Sequence, residues 1–283
     1  MPLSWAQMGV ASNKFDPSYA FVTSPFLPTS AFATLRIIFA LYLLSALCVD
    51  FAFNVRDGNG ESFLSYFTHL SYIGLTAYYI AAAVQTLAYA RWGSYPLRSW
   101  GKGMQAAHVL LQSMAITFPF LVTVVFWALL ASANTFATPS SAWSNISFHA
   151  LNSAFALVEL FLGRSPPAPL IALVVQLLCL AGYLGVAYIT RATQGFYTYT
   201  FLDPQVQHAF LAAYIVGIAV GAVLVYFITR SVAMLRVRLT RRPEGIEGPR
   251  DMEKGRAAED HEVEARHGTD IVARSSIERD RVE

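Results

Sequence analysis

The sequence predicts an all-α, polytopic membrane protein with six transmembrane helices. Two observations carry this prediction: 55% of the 283 residues are hydrophobic while only 13% are charged, and the apolar residues gather into long stretches. A helix needs roughly 20 residues to cross the hydrocarbon core of a bilayer. Six stretches reach about that length, namely residues 31–53, 64–90, 104–132, 144–163, 168–190 and 208–229. A six-helix transmembrane domain over residues 31–229 is therefore expected.

The segments on either side of this domain have different compositions. Residues 1–30 carry four prolines but no basic, cleavable leader, so we expect a cytosolic N-terminal segment and no removable signal peptide. Residues 230–283 begin with a basic flank. From Arg241 onward they are charged, contain Gly and Pro, and include too few apolar residues to build a core. This composition predicts a disordered cytosolic C-terminal tail.

The distribution of Lys and Arg predicts the orientation, because positively charged loops stay in the cytosol. One set of flanks holds only Arg56 and Arg191. The other set holds Lys14, Arg91, Arg98, Lys102, Arg164 and the basic residues between Arg230 and Arg242. Both termini are therefore predicted to be cytosolic, in an endomembrane such as the endoplasmic reticulum or in the plasma membrane. The loops that follow spans one, three and five are then exterior or lumenal.

A few polar residues inside the spans have an ordinary interpretation. Arg36 and Asp50 lie near opposite ends of the first span, where we expect their side chains to reach the headgroups. His108, at the cytosolic start of the third span, is expected to be interfacial. Cys48 and Cys179 fall within apolar spans, so they suggest small core residues rather than a disulfide or a zinc site.

The fourth span is different, because its polar residues follow a helical period. Asn145, His149, Asn152 and Glu159 succeed one another at steps of four, three and seven residues, which places them on one stripe. One polar group would suit a hydrogen bond between helices. Four in a row suggest that the stripe lines a cavity, with Arg36 or Arg164 available to pair with Glu159.

Thr68 and His149 are the candidate catalytic side chains of this predicted cavity. Each lies near the start of its span, and the second and fourth spans start on the same face, so the two side chains are expected at matching depth. A hydroxyl and an imidazole that share one leaflet are the parts of a nucleophile and its base. Thr68 taken alone is more typical of a hydroxyl that bonds back to its own helix. Tyr197 lies in the exterior loop above both residues.

Four short pieces of the chain strengthen this pairing through a resemblance. They are Tyr66-Phe67-Thr68-His69-Leu70 with Tyr78-Tyr79, Val125-Phe126-Trp127, Trp143 to His149 running on to Phe155 and Glu159, and Gly195 to Asp203. In this order and spacing they resemble the androgen-induced and androgen-dependent TFPI-regulating proteins, six-span membrane proteins that hydrolyse lipid esters through a threonine. The resemblance covers roughly residues 31–229. Three features depart from better-known members: Ala150 where a Thr follows the histidine, His69 beside the nucleophile, and the long tail.

The resemblance implies a particular chemistry. Thr68 falls at the nucleophilic threonine and His149 at the catalytic histidine, and the implied substrates are fatty acid esters of hydroxy fatty acids, with no metal or organic cofactor. Attack on an ester carbonyl creates an oxyanion, which fixed hydrogen-bond donors must stabilise. Asn145, Asn152 and Tyr197 are the predicted orienters or oxyanion donors. The predicted partners are a membrane lipid substrate and the bilayer; no nucleic-acid motif is present, and the sequence predicts no particular protein partner.

Two other functions stay open from the residues alone. His69 and His149 share a depth and would form one axial pair in a b-type haem electron carrier, although His108 has no histidine partner on the cytosolic side. In a non-enzymatic transporter or regulatory protein, the stripe on the fourth span would line a permeation path. Glu159 is the residue that this reading explains best.

Overall fold

Six membrane-length helices make up most of the structure. A computed structural model describes residues 4–10 and 14–240, so the predicted tail from Arg241 onward lies outside the described residues. The helices are α1 (Thr29–Arg56), α2 (Phe67–Trp92), α3 (Lys102–Leu130), α4 (Pro139–Leu162), α5 (Leu170–Gln194) and α6 (Phe210–Leu239). The prediction of an all-α, six-span protein is confirmed. The last helix continues ten residues beyond the predicted span, to Leu239.

Local sequence signals set several helix ends. The Thr138 hydroxyl accepts a hydrogen bond from the Ser141 backbone N–H, and Pro139 occupies the first turn, so α4 begins with a capping box. Helices α2 and α5 end at Gly93 and Gly195, which adopt the left-handed conformation with φ of 68° and 84°. Glycine adopts this conformation at no steric cost, which is why it stops a helix sharply.

The bundle has a buried half and an outward-facing half. Helices α1 and α2 pack extensively on each other, and α3 packs against α2, α4 and α6. Helices α5 and α6 expose most of their apolar side chains, including Leu178, Ile189 and Leu224. Such a surface suits lipid rather than water. Cys48 and Cys179 lie on the exposed surface rather than in the expected core.

The alternating direction of the helices gives the bundle two distinct ends. We call one the cavity end; it carries the connections between α1 and α2, between α3 and α4, and between α5 and α6. The other, the terminal end, carries the N-terminal segment, the two remaining connections and the last residues of α6. Phe15, Phe21 and Val22 of the N-terminal segment are buried at the terminal end against residues of α2 and α3. The N-terminal segment therefore belongs to the packed structure.

A buried ion pair crosses the bundle near the terminal end. Arg36 is 1% exposed. Its Nε and Nη2 groups donate to the Glu159 carboxylate, and its Nη1 donates to the Phe21 carbonyl oxygen at 2.9 Å. The Tyr78 hydroxyl donates to the same carboxylate at 2.8 Å. The expectation that Arg36 reaches the headgroups was wrong, because a buried carboxylate on α4 needs a cation beside it.

The structure gives Glu159 and His108 roles that differ from those predicted. Arg36 and Tyr78 bind the Glu159 carboxylate, so Glu159 does not support the hypothesis of a permeation path. His108 is 8% exposed and lies against the rings of Phe21 and Tyr78, so it is a packed residue rather than an interfacial one. Both belong to the packing of the terminal end.

Candidate active site

A polar cavity opens at the cavity end of the bundle. Its volume is about 560 Å³, and the first four helices and the connections at this end form its walls. Thr68 and His149 both line it, from α2 and α4 respectively. Both side chains are half-buried. The two residues that the sequence predicted at matching depth therefore share one cavity.

A second, apolar pocket lies beside the polar cavity. It has a volume of about 400 Å³ and is enclosed by α3, α5 and α6, with Leu121, Leu177 and Ile218 among its walls. Thr68, Phe126, Leu130 and Tyr199 line both spaces. Thr68 thus lies at the boundary between a polar, open cavity and an apolar pocket.

Thr68 lies at the N-terminus of α2, next to Tyr199. Thr68 is the second residue of α2, and the first-turn N–H groups of a helix have no acceptor within it. The N-cap residue Tyr66 provides no side-chain cap. The Tyr199 hydroxyl lies close to the Thr68 side chain and backbone N–H. Burial raises the pKa of Tyr199 above its ordinary value, and the bonds with Thr68 oppose that rise. Tyr199 is therefore a neutral phenol whose oxygen faces the Thr68 hydroxyl and backbone N–H as an acceptor.

His149 is held by aromatic contacts within a distorted part of α4. Residues Ser147–Leu151 form a π-helical segment, and Phe126–Leu130 at the end of α3 form another. The His149 ring lies parallel to the Phe126 ring at a centroid distance of 3.6 Å. The Trp127 indole N–H donates to the His149 carbonyl oxygen at 3.0 Å. Single π-helical turns occur often at functional sites, and here two of them meet at the candidate base.

The ring nitrogens of His149 and His69 have different surroundings. Nδ1 of His149 is buried and has no hydrogen-bond partner among the described residues. In His69, Nδ1 lies 2.7 Å from the Phe63 carbonyl oxygen and Nε2 lies 3.1 Å from Asp50 Oδ2. An imidazole whose two nitrogens both serve structural bonds is not free to take a proton from a substrate or a hydroxyl. Of the two histidines, His149 is the one with a ring nitrogen that serves no structural bond among the described residues.

Asp50 is the anchor of a polar cluster on the cavity wall. It is 5% exposed, so it does not reach the headgroups as expected. Besides His69, its carboxylate accepts hydrogen bonds from the Ser144 hydroxyl at 2.6 Å and the Asn54 amide at 3.2 Å. These bonds link α1, α2 and α4 around the cavity. The cluster fixes the wall beside Thr68 without leaving the carboxylate unpaired.

The three predicted orienters lie in different surroundings. Asn145 lines the cavity, and its amide donates to the Thr135 carbonyl oxygen at 2.9 Å. Asn152 is buried away from the cavity lining, where it accepts from the Thr123 hydroxyl at 3.1 Å. Tyr197 packs under the Arg191 guanidinium and outside the lining of both spaces. Asn145 therefore lines the same cavity as Thr68 and His149, whereas Asn152 and Tyr197 do not.

Sequence reasoning did not select Tyr199, Phe126 or Asp50 for the site. Tyr199 and Phe126 lay within the pieces that carried the family resemblance, which was the available signal. For Asp50, the available signal was a charged residue inside a predicted transmembrane span. Among the described residues, no group of three His, Cys, Asp or Glu side chains gathers where it could hold a metal ion.

The fold and the cavity define a multi-pass membrane protein with a polar site set into one end of its helical bundle. The sequence model of the family described as FAR-17a/AIG1-like protein matches residues 32–233. The chain therefore belongs to this family, the androgen-induced gene 1 family, as the resemblance predicted. No curated protein and no solved structure matches the chain.

Proposed function

We propose that this protein hydrolyses lipid carboxylic esters in the membrane, with Thr68 as nucleophile and His149 as general base. The observation that carries the proposal is the position of Thr68, which lies at the junction of the apolar pocket and the polar cavity that contains His149. An ester joins an apolar acyl chain to an alcohol, so it matches such a junction. The substrates that the family resemblance implies are fatty acid esters of hydroxy fatty acids.

The chemistry runs through an acyl-enzyme. A threonine hydroxyl is a weak nucleophile at neutral pH and requires a base. His149 takes the Thr68 proton as the oxygen attacks the ester carbonyl, and then gives that proton to the departing alcohol. Water from the polar cavity, deprotonated by His149, cleaves the acyl-threonine to a fatty acid and regenerates Thr68. Because His149 has an unengaged Nδ1 while both nitrogens of His69 are engaged, the base role falls to His149.

The start of α2 supplies the oxyanion site in this proposal. Thr68 lies in the first turn of α2, and the Tyr199 hydroxyl lies beside it. A helix N-terminus carries partial positive charge, which favours a developing anion. Donors fixed in advance lower the barrier by several kcal/mol because they need no reorganisation during the reaction. Asn145, which lines the cavity, remains a candidate orienter of substrate or water.

The proposal includes an orientation in the membrane. Both termini are cytosolic, since the basic flanks lie at the terminal end. The cavity end then faces the exterior or the lumen, and water for deacylation enters from there. The acyl chain reaches the apolar pocket from the bilayer, because α5 and α6 expose apolar surface around it.

Covalent labelling tests this proposal. Purified protein is treated with a fluorophosphonate probe, and the modified residue is identified by mass spectrometry. We expect an adduct on Thr68 that Thr68→Val removes and His149→Gln strongly reduces. Ser62→Ala, which removes a different hydroxyl from the same cavity, is the matched control and should label normally. An adduct on Ser62 or Ser144 in place of Thr68 would remove the proposed nucleophile.

A further inference from the structure

A smaller cavity lies at the terminal end of the bundle, far from Thr68. Its volume is about 180 Å³, and residues of α3, α4, α6 and the α4–α5 connection line it, together with Gly9 and Phe21 of the N-terminal segment. We call it the basic pocket, because two arginines of α6, Arg230 and Arg236, are among its walls. The proposed hydrolysis does not use this cavity.

The arginines near the end of α6 are of two kinds. Arg238 is exposed, as expected for a basic flank that follows a membrane span. Arg236 is only 6% exposed, and Arg230 is half-buried. A positive charge that merely orients a helix in the membrane gains nothing from burial, and burial costs it hydration. The position of Arg230 and Arg236 in the walls of a pocket therefore points to a binding role.

Backbone carbonyl oxygens fix both guanidinium groups. Nη1 of Arg236 donates to the Leu160 carbonyl oxygen at 2.6 Å, and its Nη2 donates to the Ser165 carbonyl oxygen. Nη1 of Arg230 donates to the Ala168 carbonyl oxygen. Carbonyl oxygens orient a guanidinium without cancelling its charge. A ligand in the pocket therefore meets two positive charges on side chains that are already ordered, and its binding costs little further side-chain entropy.

A serine hydroxyl adds a neutral donor to the same pocket. The Tyr78 hydroxyl donates to Glu159, so the group of Gln112 that faces its oxygen at 3.1 Å is the Nε2 donor. The same Nε2 group donates to Ser165 Oγ. Ser165 is 4% exposed, and its hydroxyl proton has no acceptor among the described residues. The Ser165 hydroxyl is thus a buried donor in the wall of the basic pocket.

This set of donors fits a phosphate group. A phosphate carries negative charge and several acceptor oxygens, and arginine binds it with two parallel N–H groups. The Glu159 carboxylate also acts on Arg236, but Arg36 already binds that carboxylate. The exposed Arg164 adds a further positive charge near Arg236. The field that the described residues create in the pocket is therefore positive, which favours an anion.

The surroundings of the pocket favour a lipid as the source of that phosphate. Leu170 follows the lining residue Pro169, and Ile228 precedes the lining residue Thr229; both Leu170 and Ile228 are exposed. Acyl chains therefore find apolar surface beside the pocket. In the proposed orientation, the terminal end lies in the cytosolic leaflet, where anionic lipids gather and basic pockets between helices bind their headgroups.

We propose that the basic pocket binds the phosphate of an anionic phospholipid with a small headgroup, such as phosphatidic acid. Arg230 and Arg236 bind the phosphate oxygens, and the Ser165 hydroxyl donates to one of them. The acyl chains lie along α5 and α6. Because the pocket is built where the end of α4, the start of α5 and α6 meet, the bound lipid stabilises the terminal end of the bundle. The proposal does not depend on hydrolysis at Thr68.

Binding of three probes to the purified full chain tests the proposal. They are a phosphatidic acid with two ether-linked oleyl chains, the corresponding dioleylglycerol without phosphate, and glycerol 3-phosphate without chains. Ether linkages prevent cleavage by the proposed hydrolase. We expect the phosphatidic acid to bind about tenfold more tightly than either of the others in native mass spectrometry, and to raise the midpoint of thermal unfolding. Equal binding of dioleylglycerol would overturn the phosphate site. Equally tight binding of glycerol 3-phosphate would overturn the lipid as its source.

Substitutions locate the binding. Arg230→Gln should weaken binding of the phosphatidic acid about tenfold, through the loss of a charge-assisted hydrogen bond, and Ser165→Ala about threefold. Arg238→Gln is the matched control, because it removes the same charge from the same helix outside the pocket, and it should change binding less than about twofold. Equal weakening by Arg230→Gln and Arg238→Gln would indicate diffuse attraction to the basic flank and would overturn the pocket. If Arg230→Gln does not fold, unchanged binding in a folded Ser165→Ala protein would overturn it instead.

Discussion

The imidazole of His149 lies flat on the ring of Phe126, with centroids 3.6 Å apart and planes 3° from parallel. The two residues come from the π-helical segments of α4 and α3, and the adjacent Trp127 donates to the His149 carbonyl oxygen. Phe126 lines both the polar cavity and the apolar pocket. The stacking therefore fixes the plane of the candidate base at the place where the two spaces meet.

Removing the stacked ring should disturb the chemistry without unfolding the protein. In Phe126→Leu the imidazole loses its planar support, and a base misplaced by about 1 Å can cost up to about a hundredfold in rate. We expect the rate of ester hydrolysis to fall by about tenfold or more. Phe161→Leu, at a half-exposed position on α4, serves as the control with an unchanged rate. A folded Phe126→Leu protein with wild-type activity would show that the stacking has no role in catalysis.

The buried pair of Arg36 and Glu159 should govern stability rather than chemistry. Arg36→Ala leaves the Glu159 carboxylate without its cation, and breaking a buried pair in this way costs about 3 to 5 kcal/mol. Thermal unfolding in detergent, followed by circular dichroism, should show a clearly lowered midpoint. Arg56→Ala, which breaks an exposed pair, should leave the midpoint unchanged.

A double substitution distinguishes the charge from the packing. Arg36→Met combined with Glu159→Met removes both charges, and we expect it to be more stable than Arg36→Ala because no unpaired charge stays buried. The Tyr78 hydroxyl loses its acceptor in this variant, so recovery should be partial. A double variant that is less stable than Arg36→Ala would contradict this explanation of the network.

The six spans were predictable because length and apolar composition depend on local sequence alone. The matching depth of Thr68 and His149 followed from the same reasoning. Arg36 was one of two partners that the sequence offered for Glu159, and the structure shows that pair. The partners of Asp50 did not follow, since His69 and Ser144 lie on other helices. The prediction that Asn145, His149, Asn152 and Glu159 form one stripe on α4 assumed a regular α-helical period. The π-helical segment Ser147–Leu151 interrupts that regularity, and Asn152 lies away from the cavity that His149 lines.

The proposed orientation predicts which parts of the chain are accessible in intact membranes. Tags placed before Met1 and after Glu283 should both be cytosolic, while the α5–α6 connection around Gln194 should be labelled only from the other side. Impermeant cysteine labelling of sealed vesicles measures this directly, with detergent-opened vesicles as the control for accessibility. Labelling of the connection from the same side as the tags would remove the exterior entry of water.

The haem alternative predicts a coloured protein, whereas the structure favours a colourless one. An axial pair needs one free nitrogen on each histidine, but both nitrogens of His69 face oxygen acceptors. We expect no Soret band in purified protein, even after incubation with haem. A band that His69→Ala or His149→Ala abolishes would replace the hydrolase proposal with an electron carrier.

The rate of hydrolysis should depend more on the hydroxyl group of Thr68 than on its methyl group. Thr68→Ser keeps the hydroxyl and loses only the methyl group that restricts its rotamers. We therefore expect reduced but measurable hydrolysis of a fatty acid ester of a hydroxy fatty acid, above the rate of Thr68→Val. Equal rates for the serine and valine variants would show that the hydroxyl is not what the reaction uses.

Hydrolysis by Thr68→Ala, His149→Ala and the double variant tests the central claim most directly. Residues that act as one unit give losses that do not add. The account predicts that all three folded proteins fall to a similar low rate on the same lipid ester, while membrane yield and circular dichroism stay at the wild-type level. A folded Thr68→Ala protein that cleaves the ester at the wild-type rate would contradict the account.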